Sequence, residues 1–249
     1  MNALQTVEYS PTNLGRVLAI SPHLDDAVFS CGALLEQCRS PIVLTIFAGE
    51  PADGDKLTSW DASCGFTSAS QAMSVRRHED IRALSILHAH AIHLGFLDAQ
   101  YRHPPDIQDI QNSVQQILAR EHPDTVFFPL GLFHSDHVLV HCAMATLRHI
   151  EPGLRWVAYE DALYRAKPDL VRRRLGQLRL EGVTVTPFAT DSGRAAEGKR
   201  HAVAAYTSQL INTGLVDCAK GMTSHGGIRL RNDSDVMAPE RYWLLSQAA

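Results

Sequence analysis

Short apolar runs alternate with longer amphipathic segments along the 249-residue chain, and this alternation limits the possible folds. The apolar runs are rich in β-branched residues and almost continuously hydrophobic, which is typical of strands buried on both faces. The runs that we interpret as strands are residues 16–21, 41–48, 91–96, 125–130, 154–159 and 183–187. Strands that alternate with helices predict an α/β fold with a mainly parallel sheet.

Helical patterns fill the intervals between these strands. They cover residues 26–38, 74–88, 107–120, 136–149 and 195–210. With no repeat and no long linker, the sequence predicts one Rossmann-like domain over residues 1–249, with helices on both faces of the sheet. Two polar, glycine-containing stretches, residues 50–72 and 218–239, are expected to be loops, and loops of that length are often functional.

Composition argues against several classes of function. Lys+Arg 23 against Asp+Glu 27 gives a net charge of −4, so we expect no nucleic-acid partner and no anionic membrane surface. The longest apolar stretch, residues 126–133, is far shorter than the roughly 18 residues of a membrane span. No basic segment followed by an apolar run marks a secretory leader, and five cysteines without a CxxC pair favour reduced thiols. A cytoplasmic location is therefore expected.

A first group of chemically active side chains follows the first predicted strand. His23, Asp25 and Asp26 stand there, at the point where a helix begins. One Asp could be the N-cap of that helix, because a carboxylate accepts hydrogen bonds from the first free backbone N–H groups. A cap explains one carboxylate, and leaves the second carboxylate and the imidazole unexplained.

A second group, His134-Ser135-Asp136-His137, also follows a strand and opens a helix. If both groups lie at the same edge of a parallel sheet, their histidines and aspartates converge. Imidazole and carboxylate are ligands that suit Zn²⁺, and a hydrolytic zinc site keeps three protein ligands and a water. His137 and His141 are four residues apart, but no Glu follows His137, so the HExxH motif is absent and we expect His141 to be a partly buried helix residue.

These two segments resemble the signature of the LmbE-like, or PIG-L, family of zinc-dependent N-deacetylases. That signature is a His-Pro-Asp-Asp segment after the first strand and a His-x-Asp-His segment much later. Residues 76–79, 94–98 and 239–243, together with Lys199 and Ser208-Gln209, are also similar to the family. The chain departs from the pattern in having Leu24 in place of the usual Pro and Ala27 in place of a frequent Glu.

The resemblance implies one zinc ion per chain, bound by His23, Asp26 and His137. Asp25 would be the general base that deprotonates the zinc-bound water. A protonated His134 could stabilise the oxyanion. Asp136 would orient an imidazole, or cap the helix that begins there, or do both.

The resemblance also implies a small-molecule substrate, an N-acetylglucosamine-type sugar or glycoconjugate from which acetate is released. Arg76 and Asp98 would contact the sugar, although Arg77 competes with Arg76 for this role. Trp60 could stack on a sugar face or simply anchor its own loop.

The sequence leaves two alternatives to this function. The first is an amidase of the same family that acts on a longer acyl group, a thiol-sugar conjugate or an antibiotic glycoside. The second is a nucleotide-binding module, which is disfavoured because no GxGxxG follows the first strand and two adjacent acids stand there instead. The sequence leaves the oligomeric state undetermined.

Overall fold

One eight-stranded sheet runs through the computed structural model, which describes residues 7–101, 104–190, 196–213 and 236–247. The strands are β1 (Val7–Tyr9), β2 (Val17–Ser21), β3 (Ile42–Thr45), β4 (His90–His93), β5 (Thr125–Pro129), β6 (Arg155–Tyr159), β7 (Val183–Thr190) and β8 (Tyr242–Gln247). Their order is β1-β7-β8-β6-β5-β2-β3-β4. Neighbouring strands are parallel, except that β8 runs antiparallel to both β6 and β7.

Helices cover both faces of this sheet. They are α1 (Asp26–Leu35), α2 (Ser59–Ser63), α3 (Ala69–Ile86), α4 (Ile107–Glu121), α5 (Ser135–Ile150), α6 (Leu170–Leu180), α7 (Ala196–Ala204) and α8 (Thr207–Thr213). Among the described residues, no helix has the length and apolar character needed to cross a bilayer.

Alternate residues of the central strands pack in two separate hydrophobic cores, one on each face of the sheet. In β2, Val17 and Ala19 pack in the core that includes side chains of α1, α3 and α7. Leu18 and Ile20 point to the opposite face and pack in the core that includes side chains of α4, α5 and α6. A strand with helices on both faces must be apolar on both, which explains the continuous hydrophobic runs in the sequence. The predicted α/β class with a mainly parallel sheet is confirmed.

The polar stretch 50–72 contains more regular structure than the sequence predicted. It includes the short helix α2 and the first residues of α3, which begins at Ala69 rather than at Ser74. Both helices have side-chain caps, because Thr58 accepts a hydrogen bond from the backbone of Asp61 and Ser68 accepts one from Gln71. The polar composition of this stretch predicts a loop, but its Thr58 and Ser68 are the N-caps of two helices.

The helix predicted over residues 195–210 is two helices, α7 and α8. Glu79, a buried residue of α3, accepts hydrogen bonds from the hydroxyls of Thr207 and Ser208 and from the backbone N–H of Ser208. This carboxylate starts a new helix, since it satisfies N–H and O–H groups at the N-terminus of α8. Strands β1 and β8 were not predicted, and most of the second polar stretch, residues 218–235, lies outside the described residues.

The five adjacent strands β6, β5, β2, β3 and β4 are mutually parallel, so their carboxyl ends lie at one edge of the sheet. Ligands of open α/β sheets bind at this edge. Both polar groups singled out in the sequence follow strands of this set, β2 and β5, which are direct neighbours.

Glu240, two residues before β8, ties the antiparallel strand to α1 and α7. Its carboxylate accepts hydrogen bonds from the backbone N–H groups of Ala33 and Leu34, at 2.8 and 3.1 Å, and from the hydroxyl of Tyr242. It also forms a 2.8 Å ion pair with Lys199 of α7, and both side chains are 3% exposed. A buried ammonium depends on its partner, because an unpaired charge in the interior is costly.

We therefore expect Glu240→Gln to lower the free energy of unfolding by about 3–5 kcal/mol, since the ammonium of Lys199 loses its counter-charge. Urea unfolding would measure the change. The matched control is the double variant Glu240→Gln/Lys199→Met, which removes both charges and should recover part of the loss. A single variant as stable as the original protein would show that this pair does not anchor β8.

Candidate metal centre

The two polar groups meet above the adjacent strands β2 and β5. Residues 22–25 connect β2 to α1, and residues 130–134 connect β5 to α5. The strands pair in parallel with Val17 opposite Thr125, so both connections emerge at the same edge. The convergence expected from the sequence is therefore realised.

Three donor atoms lie close together at this edge. Oδ2 of Asp26 is 3.1 Å from Nδ1 of His23 and 3.2 Å from Nε2 of His137. The nearby carboxylate of Asp136 and the ring of His134 form a second group that shares His23. Ligand atoms about 2.0–2.1 Å from a tetrahedral ion are about 3.3 Å apart, so the spacing of the first group fits one zinc-sized ion.

The buried Nε2 of His137 also indicates a cation site. This atom has no hydrogen-bond partner, although Asp26 is nearby, because the two atoms are not aligned for a hydrogen bond. Buried polar atoms are almost always satisfied, and an unsatisfied one calls for an explanation such as an ion. A buried donor atom close to a carboxylate oxygen, without a hydrogen bond between them, is compatible with two ligands of one metal ion.

Each imidazole is held from behind by a second carboxylate. Nε2 of His23 lies 2.9 Å from Oδ2 of Asp136, and Nδ1 of His137 lies 2.5 Å from Oδ1 of Asp161. An ionised carboxylate only accepts, so each of these ring nitrogens carries a hydrogen. The opposite nitrogens face Oδ2 of Asp26: Nδ1 of His23 is within hydrogen-bond distance of it at 3.1 Å, and Nε2 of His137 has no hydrogen-bond partner. The sequence analysis missed Asp161, although its position just after β6 at the same sheet edge was a signal that could have revealed it.

The charges of this cluster are strongly coupled. Burial lowers the pKa of His137, but Asp26 and Asp161 outweigh it and raise that pKa to about 9. Burial opposes ionisation of Asp26, yet the facing imidazoles of His137 and His23 hold the pKa of Asp26 well below its usual range. The carboxylate is thus ionised at neutral pH, while His137 must lose a proton before it can bind a metal.

Asp25 stands beside the three donors without the capping role that a helix start would suggest. It occupies the N-cap position of α1, but its side chain makes no capping hydrogen bond. Burial and the neighbouring charge of Asp26 raise the pKa of Asp25 to about 8. A cation in the adjacent site would favour the ionised form, because opposite charges lower the pKa of a carboxyl group. Asp25 is therefore available for proton transfer.

His134, rather than Asp136, caps helix α5. Nδ1 of His134 accepts a hydrogen bond of 3.2 Å from the backbone N–H of Asp136, which puts the ring hydrogen of a neutral imidazole on Nε2. Burial, His23 and His137 lower the pKa of His134, so the ring is neutral at neutral pH, whereas the sequence analysis considered a protonated ring. Asp136 instead accepts from His23 and from the backbone N–H of Ala99.

The connection that presents His134 adopts an uncommon backbone. Phe133 has a φ of 63°, in the left-handed region, and Gly131 has a φ of 79°. A Cβ on Gly131 would lie 2.8 Å from Cβ of His141, so only glycine fits there. His141 is fully buried rather than partly buried, and its ring hydrogen-bonds the backbone carbonyl of Pro129. It supports the turn and takes no part in the donor group.

A cavity of about 680 Å³ opens in front of the donor atoms, lined by residues that include His23, Asp25, Asp98, His134, Trp60 and Arg76. Arg76 and not Arg77 faces it, because Arg77 donates to the backbone carbonyl of Ala48. Tyr164, which sequence reasoning did not single out, also lines the cavity, with its ring centre 5.2 Å from that of His137. Like Asp161, it lies in the segment that follows β6.

The two departures from the family pattern leave the donor group intact. Leu24 is 3% exposed and packs with Met73 and Tyr101. Ala27 is buried, and its backbone N–H donates to the hydroxyl of Ser21. Neither position supplies one of the three donor atoms.

Comparison with known proteins agrees with this geometry. The family model described as PIG-L, GlcNAc-PI de-N-acetylase, matches residues 18–147, which include both polar groups and all three donors. The 2′-N-acetylparomamine deacetylase of Streptomyces fradiae is 29% identical over 219 residues, which are 78% of this chain and 74% of that enzyme.

Two solved structures are similar over nearly the whole chain. The A40926 pseudoaglycone deacetylase Dbv21 has 27% identity and a TM-score of 0.67, with 95% of this chain and 99% of that one covered. The zinc-inhibited form of the teicoplanin deacetylase Orf2 has 24% identity and a TM-score of 0.68, with 94% and 98% covered. Since the family model spans just over half of the sequence, this chain belongs to the PIG-L family.

Proposed function

We propose that this protein is a zinc-dependent hydrolase that removes the N-acetyl group of an amino-sugar conjugate. Water adds across the amide: a C–O bond forms, the C–N bond breaks, and the products are acetate and the free amine. The observation that carries the proposal is the group of His23, Asp26 and His137, of which His23 and Asp26 line a cavity of about 680 Å³ together with Asp25.

Zinc is the proposed ion because two imidazoles and one carboxylate form the donor set. Three protein ligands of these types, with an open position, are typical of hydrolytic zinc sites. Bound there, the ion would polarise the amide carbonyl and lower the pKa of a water molecule. Asp136 and Asp161 would keep the imidazoles of His23 and His137 in the tautomers that leave their other nitrogens free.

Asp25 is the proposed general base. It lines the cavity and is ionised once a cation lowers its pKa from about 8. Its carboxylate would accept the proton of the attacking water and later deliver it to the departing nitrogen, since a base that gains a proton becomes an acid.

His134 is the proposed donor to the oxyanion of the tetrahedral intermediate. Because Nδ1 accepts from the backbone of Asp136, Nε2–H is the donor, and the ring works as a neutral group rather than as an imidazolium.

The proposed substrate carries its acetamido group on a sugar that belongs to a larger molecule. The three relatives named above are deacetylases, two of them acting on a paromamine derivative and on an antibiotic pseudoaglycone. Asp98 lines the cavity, and its carboxylate is oriented by the backbone and side chain of Gln100, which supports a contact with sugar hydroxyls. An antibiotic glycoside thus remains the alternative that the relatives favour.

Acetate release from a panel of N-acetylated amino sugars tests this function. The panel contains N-acetylglucosamine, N,N′-diacetylchitobiose and 2′-N-acetylparomamine, each assayed with zinc-loaded protein and after treatment with a chelator. We expect chelator-sensitive release from at least one compound. The rate of release should fall as the pH is lowered below 8, since Asp25 must be ionised to act as the base. Asp25→Asn should reduce kcat by at least about 10²-fold while zinc stays bound.

Two results would contradict the proposal. Acetate release that survives complete removal of metal would exclude a role for the ion. An Asp25→Asn variant with full activity would exclude Asp25 as the base.

The carboxylate behind His137 gives a separate prediction. Asp161→Asn should weaken zinc affinity by about 10–100-fold. The neutral amide accepts the Nδ1 hydrogen of His137 less strongly than the carboxylate does, so it fixes the tautomer of His137 less firmly. Competition with a coloured chelator would measure the affinity. Asp98→Asn is the matched control, because Asp98 lines the same cavity but is not in the donor group. Equal affinities of the two variants would disprove the positioning role of Asp161.

A further inference from the structure

We propose that Trp60 is a platform on which a second ring of the substrate stacks, next to the ring that carries the acetamido group. The proposal rests on the proposed function and makes it more specific. It assigns to the helix α2 the recognition of a two-ring carbohydrate conjugate.

The exposure of Trp60 distinguishes it from the other tryptophans. Its side chain is 39% exposed and lines the cavity that holds the donor group. Trp156 is 2% exposed in one of the two cores, and Trp243 is partly buried with its indole N–H donated to Glu160. A large aromatic side chain that is left partly open inside a concave site is typical of a ligand-binding position.

Buried polar contacts of the residue next to Trp60 hold helix α2 in this place. The adjacent residue, Asp61, is 0% exposed and forms a 2.8 Å ion pair with Arg76. Its other oxygen accepts a 2.7 Å hydrogen bond from the hydroxyl of Tyr101. The guanidinium of Arg76 also lies over the ring of Phe66, at 5.3 Å. Asp61 therefore joins α2 to α3 and to the turn near residue 101, so the backbone that carries Trp60 is held in place before a ligand arrives.

A second link fixes the same wall of the cavity. Thr58, the N-cap of α2, donates its hydroxyl to the side-chain oxygen of Gln100 at 2.7 Å. Gln100 in turn donates to both carboxylate oxygens of Asp98. The platform and the proposed sugar-binding carboxylate are thus parts of one connected unit. Pre-organisation of this kind lowers the entropic cost of binding.

The charged residues that line the cavity favour binding of an uncharged sugar ring over a phosphate group. Among the described residues that line the cavity, Arg76 is the one arginine or lysine, and its charge is matched by Asp61. Asp98 is a carboxylate of the same lining outside the donor group. A phosphate group on this side of the cavity would meet a neutralised guanidinium and a carboxylate, whereas the C–H face of a pyranose or aminocyclitol needs only the flat indole.

The size of the cavity agrees with a substrate larger than a single sugar. About 680 Å³ lies within the range of about 300–1,000 Å³ that encloses drug-sized ligands, which are larger than one N-acetylated hexose. One ring at the donor group leaves room for another beside Trp60.

The test compares one-ring and two-ring substrates in variants of Trp60. The quantity measured is the ratio of kcat/KM for N,N′-diacetylchitobiose or 2′-N-acetylparomamine to kcat/KM for N-acetylglucosamine. Trp60→Ala should lower this ratio about tenfold, because an aromatic contact contributes up to about 1.5 kcal/mol and 1.4 kcal/mol is a factor of ten. Trp60→Phe should recover most of the loss. Leu57→Ala, at an exposed position of the same stretch outside the cavity lining, is the matched control and should leave the ratio unchanged.

Fluorescence titration gives a readout that does not depend on turnover. In the zinc-loaded Asp25→Asn protein, the two-ring compounds should change tryptophan emission, and Trp60→Phe should abolish that change. If no compound releases acetate but the emission change depends on Trp60, the proposed function fails while the platform stands.

Two results would overturn the platform. The first is an unchanged ratio in Trp60→Ala, and an equal loss of kcat/KM for one-ring and two-ring substrates would then indicate a structural role only. The second is the absence of any Trp60-dependent emission change with the two-ring compounds.

Discussion

The pairing of each imidazole with a carboxylate behind it is the interaction on which the site depends. His23 contacts Asp136 and His137 contacts Asp161, while Asp26 lies between the two rings. Burial of three carboxylates and two imidazoles is expensive, and such groups are retained when they are paired or when they bind a metal. The arrangement fixes which nitrogen of each ring contacts the outer carboxylate, and the other nitrogen of each ring is on the side of Asp26. A cation at that point satisfies the orphaned Nε2 of His137 and compensates the excess of negative charge.

The fold supplies these partners from separate parts of the chain. β2, β5 and β6 are adjacent and parallel, so His23, His137 and Asp161 emerge side by side although more than a hundred residues separate the first from the others. β8 lies between β6 and β7, and Glu240 links it to α1, the helix that carries Asp26. The substrate side is built differently, from caps and a buried ion pair that hold α2 against α3. The strand ends position the candidate metal ligands, and the helices α2 and α3 shape the cavity beside them.

Much of this arrangement was accessible from the sequence. The hydrophobic runs predicted the parallel core because strands covered on both faces must be apolar on both. The convergence of the two polar groups could be predicted, since each group follows a predicted strand and parallel neighbours share an edge. The selection of His23, Asp26 and His137 as the ligands came from the resemblance to the family. Asp161 follows Glu160 directly after a predicted strand, so its place at the shared edge was accessible, but no histidine stands beside it to mark a metal-binding segment. β8 was missed because its place between β6 and β7 depends on pairing with strands distant in sequence. The position of α2, which carries Trp60, depends on Asp61, whose partners Arg76 and Tyr101 no local pattern reveals.

X-ray absorption spectroscopy at the zinc edge of the zinc-loaded protein tests the central claim most directly. The account predicts one zinc per chain with two imidazole nitrogens and two oxygens at about 2.0–2.1 Å, one oxygen from Asp26 and one from solvent. The imidazole signal should fall by half in His137→Ala. Sulfur in the first coordination shell, or an unchanged spectrum in that variant, would contradict the account, because either result would locate the metal away from the edge shared by β2 and β5.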